Sequence, residues 1–126
     1  MGILSETVRY LLDGGFRVRR AYSSGERVAI TGVVVAVQLE KMDHSGASVR
    51  VNVLSPAAQG GSVCEDAAIR AFQVLRAAGG VCRVEKCSFS ADMEAFCTPV
   101  IAYFAGEEKE GVWIPYRAPE PELEME

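Results

Sequence analysis

Apolar positions between residues 63 and 78 recur at helical spacing. Stepped at about 100° per residue, Val63, Cys64, Ala67, Ala68, Ala71, Phe72, Val74, Leu75 and Ala78 fall on one arc. Glu65, Asp66, Arg70, Gln73, Arg76 and Ala77 fill the opposite side, interrupted only by Ile69. The spacing predicts a helix capped by Ser62, with Glu65 completing an S-x-x-E box and Gly79-Gly80 as its stop. Its apolar arc is wider than the stripe of a helix lying on one sheet. A second partner is therefore expected, either an N-terminal helix or another subunit.

The flanking segments carry other periods. Leu4, Val8, Leu11 and Leu12 define a short helix over residues 6–13, with Ser5 as its cap and Gly14-Gly15 as its stop. Alternation over 16–22, a turn at Ser23-Ser24-Gly25-Glu26 and a β-branched run over 28–40 with Gly32 inside predict two strands. Asp43-His44-Ser45-Gly46 joins the second to a return strand over 49–54, and Ser55-Pro56 ends it. After the central helix, residues 81–88 and 95–104 form a hairpin around 90–93. A turn centred near Asp92 sets Cys87 opposite Cys97 and sends Cys82 to the other face. The order α-β-β-β-α-β-β, with hairpins and only two helices, predicts an α+β two-layer sandwich with a mostly antiparallel sheet and both helices on one face.

Composition sets the bounds of this picture. A length of 126 residues with 49% hydrophobic and 24% charged residues suits one globular domain with a real core. The domain is expected over residues 1–105, with 106–126 as a partly disordered acidic extension. Net charge is −4, and residues 105–126 carry seven of the seventeen acidic groups against two basic ones. The body is thus near neutral, which argues against direct nucleic-acid binding and against an anionic membrane partner. No apolar run approaches the roughly 18 residues of a membrane span. A cytoplasmic setting with four free thiols is the expectation.

Chemistry-bearing residues are sparse. Cys64, Cys82, Cys87 and Cys97 contain no C-x2-C pair, so the reading is core thiols and no metal site. His44, the single histidine, falls in a turn. Gln59-Gly60-Gly61-Ser62 lacks the residues of a P-loop or dinucleotide loop, and reads as a helix start. Arg17, Arg19 and Arg20 cluster near the first strand, a group expected to be solvated. No catalytic residue and no cofactor is expected. Trp113, Ile114 and Tyr116 are costly to leave in water. They suit an edge strand added to their own sheet or to a neighbouring subunit, and with Ile69 they form the candidate interface.

The run VVVAVQLEKMDHSGASVRVNVLSPAAQGGSVCEDAAIRAFQVLRAAGG resembles the tail-terminator and minor tail proteins of long-tailed phages and prophages. The likeness is an order of elements over residues 4–104, with a strand ending at Ser55-Pro56 and a glycine loop before one long helix. It implies a non-enzymatic structural protein of tail assembly. Such a protein acts as a homo-oligomer, self-associating into a ring that meets other tail or connector proteins, and is found in the bacterial host cytoplasm and the virion. Two readings stand beside it: a protein-binding module acting through its C-terminal segment, and a small thiol enzyme using Cys87 and Cys97.

Overall fold

The structure, a computed structural model, describes residues 2–19 and 32–116. The elements are α1 (Ile3–Asp13), β1 (Val18–Arg19), β2 (Val34–Asp43), β3 (Gly46–Pro56), α2 (Gly61–Ala77), β4 (Val81–Val84), β5 (Ser88–Ser90), β6 (Ala95–Lys109) and β7 (Val112–Pro115). The strands run β1-β2-β3-β6-β4, with β5 and β7 also paired to β6. The fold is α+β, as the order of elements predicts. Its sheet is mixed and curls into a half-barrel, so the expected α+β class holds and the expected two-layer sandwich does not describe its shape. The β1–β2 pair is parallel and the other pairs are antiparallel. A parallel pair needs a crossover longer than a tight turn. The turn expected at Ser23–Glu26, together with Arg20, lies outside the described residues.

Alternation along the central strands builds the core. Val35, Val49, Val51, Val53, Val100, Ala102 and Phe104 share one face and meet Cys64, Ala67, Ala68, Ala71 and Leu75 of α2. The three alanines let α2 approach closely, and Leu75 fills the space with no exposure. Ile3, Leu11 and Phe16 extend the same cluster from the α1 side. The broad arc of α2 thereby finds its second partner inside the chain: α1 ends against it, and a Cβ on Gly14 would stand 2.7 Å from Val74.

Both helices stop as their glycines dictate. Gly15 and Gly79 adopt positive φ of 91° and 103°. The amides of the next residues, Phe16 and Gly80, donate back to the carbonyls of Leu11 and Leu75. This paired pattern satisfies carbonyls the helix would leave open. The starts differ from expectation. α1 begins at Ile3 rather than Glu6, so Ser5 lies within the helix. The cap comes from across the sheet, where Glu108 accepts the Ile3 amide at 3.2 Å. Likewise α2 begins at Gly61, with Gly60 at its N-cap and no side-chain cap bond; Ser62 and Glu65 form no capping box. The turn at Ala57–Gln59 and the positive φ of Gly60 swing the chain into the helix before Ser62 can cap it.

The ordered fold also runs further than residue 105. β6 continues to Lys109, and β7 pairs back on it from Gly106↔Pro115 to Lys109↔Val112. Residues 106–116 therefore belong to the domain, and residues 117–126 lie outside the described residues. No helix among the described residues is long and apolar enough to cross a membrane.

Candidate functional site

The most unusual surface is the sheet edge at β4. This strand pairs with β6 on one side and has no strand on its other side among the described residues. An open edge presents a row of unpaired amides and carbonyls, and such edges are ordinarily guarded by charge or bulges. Here Val81 is 75% exposed, Val84 39%, and Phe89 of the collinear β5 53%. Phe89 leans edge-on against Phe96 at 5.2 Å, which leaves its outer side open. Arg83 is the strand's one charge, and Glu85 accepts from it at 3.3 Å. Glu85 also meets Arg50 at 3.5 Å, and Arg50 meets Glu40 at 2.7 Å. The hydrogen bond that Arg50 donates to Glu40, ahead of Coulombic attraction, raises the Arg50 guanidinium above its usual value. Glu85 thus holds both Arg83 and Arg50, and Lys86 beside it stands exposed between β4 and β5.

The residues expected at an interface separate. Ile69 stands 50% exposed on α2. Trp113 is buried at 8% exposure, over Gly106, where an added Cβ would stand 2.5 Å from the indole. β7 therefore joins its own sheet, one of the two outcomes expected for it. Ile114 and Tyr116 stay exposed, and the Tyr116 hydroxyl donates to the His44 carbonyl at 3.0 Å. Tyr116 and Trp113 help line a recess of about 350 Å3 together with Tyr10, Val81, Tyr103 and Phe104. Ile69 takes no part in it.

A second recess, about 200 Å3, opens on the opposite face of the sheet from the core, between Gln38, Asn52, Leu54, Ser90, Met93 and Cys97. Cys97 Sγ lies 3.8 Å from Asn52 Oδ1. Burial first, and the neighbouring Cys64 thiol second, push the Cys97 thiol up to about 11. Burial likewise raises Cys64 and Cys82. A nucleophilic thiol needs the reverse shift. All four cysteines are free.

The thiol positions correct the hairpin register. Ser88, not Cys87, stands opposite Cys97. The strand is broken over residues 85–87, so the alternation does not carry through, and Cys82 and Cys87 both pack against the core cluster. Among the described residues no three His, Cys, Asp or Glu side chains group as metal ligands would. His44 is exposed in the β2–β3 turn, where Asp43 accepts from the Ser45 amide and hydroxyl and the Gly46 amide. Arg17 is exposed beside Gly32.

Val81, Val84 and Phe89 are among the exposed apolar residues that local pattern did not single out, as are Leu39, Met42 and Val112. The β4 run resembles any half-buried strand, and only the strand order shows that this one is an edge. Comparison with protein-family models, with characterised proteins and with solved structures returns no match.

Proposed function

We propose that this chain is a non-enzymatic assembly protein that self-associates into a ring, in the manner of the phage and prophage tail-terminator proteins its element order resembles. The observation that carries the reading is the open β4 edge with exposed Val81, Val84 and Phe89. Burial of such side chains stabilises by about 1.5–3 kcal/mol each when complete, and backbone pairing along the edge supplies direction and register. Ile69 on α2 and Ile114 and Tyr116 at β7 are further exposed apolar groups available to a neighbour or to other tail or connector proteins. Shifted thiols favour this reading over thiol catalysis.

The test is a charge placed on the edge. Val81→Lys with Val84→Lys changes exposed side chains, so the fold should lose no more than about 0.5 kcal/mol. Light scattering of wild type at high concentration should show an assembly, and the double variant a monomer. An equal mass for both proteins would remove β4 from the interface.

A further inference from the structure

Cys64 and Cys87 come together beneath the first turn of α2. Cys64 faces the sheet there with no exposure, its thiol 3.2 Å from the Val53 carbonyl and 3.1 Å from Thr98 Oγ1. Cys87 arrives from the broken segment between β4 and β5, and a Cβ on Gly61 would stand 3.9 Å from its sulfur. Gly61 and Cys64 are three residues apart on one helix and so share a face. Cys64 belongs to the buried core cluster, and Cys87 packs against that cluster. Cys97, the neighbour in the expected register, instead faces the recess on the other side of the sheet.

We infer that Cys64 and Cys87 form an oxidisable dithiol, a modification site that closes into a disulfide when the protein meets a small-molecule disulfide such as oxidised glutathione. Cys87 is the half-buried member and is reached first. Its thiolate attacks one sulfur of the glutathione disulfide, that bond breaks, and one glutathione leaves as a thiolate that takes up a proton. The Cys64 thiolate then attacks the Cys87 sulfur and expels the second glutathione. Two protein thiols are oxidised and one glutathione disulfide is reduced to two thiols. Cys64 gives up its contacts with Val53 and Thr98 to do so; the Glu85 amide still donates to the Pro99 carbonyl at 2.8 Å, and the local freedom lies in residues 86–87 between β4 and β5. Burial keeps the Cys64 proton on at neutral pH, so the closing step speeds up as pH rises. The bond staples α2 to the segment joining β4 and β5, strands whose outer edge the proposed assembly uses.

Incubation of the full chain with oxidised glutathione, followed by alkylation and non-reducing digestion, tests this. Cleavage after Lys and Arg puts Cys64 on peptide 51–70 and Cys87 with Cys97 on peptide 87–109; further cleavage before Asp92 separates the last two. The expected product has lost two hydrogens and links Cys64 to Cys87, reversibly with dithiothreitol. Cys97→Ser should give the same link and Cys87→Ser none, with circular dichroism confirming that both variants are folded. A Cys87–Cys97 link would overturn the inference. So would a Cys87–glutathione adduct that persists while Cys64 stays reduced.

Discussion

Ser55 sits on the core face of β3 with its hydroxyl buried and without a hydrogen-bond partner, although it lies near the Cys64 thiol and opposes the rise that burial imposes there. The stronger partners of Cys64 are Thr98 and the Val53 carbonyl, which leaves Ser55 outside the bonded set. An unsatisfied buried hydroxyl costs about 1–3 kcal/mol. Ser55→Ala is therefore expected to raise the free energy of unfolding by about 1 kcal/mol, seen as a higher urea midpoint with unchanged slope. Cys97 makes a pH prediction of known sign. Its thiol titrates at about 11 in the fold against an ordinary 9.0, so the folded state keeps a proton that the unfolded chain releases. The resulting stability is complete below about pH 9 and is lost as pH climbs from 9 towards 11. Urea midpoints measured across that range should fall more steeply for wild type than for Cys97→Ala. At this scale the sequence shows thiols without metal-ligand spacing, and in the fold Cys64 is buried and the other three are half-buried. The sequence does not show which pair meets. Strand alternation was the only guide, and the break at 85–87 resets it.

The elements were more legible at their ends than at their beginnings. Gly14-Gly15 and Gly79-Gly80 mark both helix stops, because a residue with positive φ is written directly into the chain as glycine. The starts depend on groups that are remote or conformational. Glu108 is 105 residues from the Ile3 amide it accepts, and no local motif announces such a pair. Glu108→Ala is expected to cost about 1 kcal/mol, the usual value of a lost cap. Amide exchange in the first turn of α1 should rise while the centre of α2 is unaffected. If exchange there does not change, Glu108 is not the cap. The width of the α2 arc was also legible, as a need for two partners. That α1 meets that need, rather than another subunit, follows from Gly14 bringing the end of α1 against Val74.

Over the whole molecule, the α+β class follows from hairpins alternating with two helices, whereas the curl of the sheet and its strand order do not. Those come from long-range pairing: β6 is held between β3 on one side and β4 and β5 along the other. Local pattern cannot distinguish a central strand from an edge when both read as short β-branched runs. For this reason the candidate assembly surface moves from the broad face of α2, against which α1 packs, to the open side of β4 and its exposed Val81 and Val84. Trp113 moves the other way, from candidate interface to buried packing over Gly106. The most direct test of self-association is the mass and shape of the wild-type particle as its concentration is raised, by light scattering with negative-stain images of the same fractions. The account predicts a closed ring of several copies. A mass that stays at one chain, 13.6 kDa, across the whole range would contradict it.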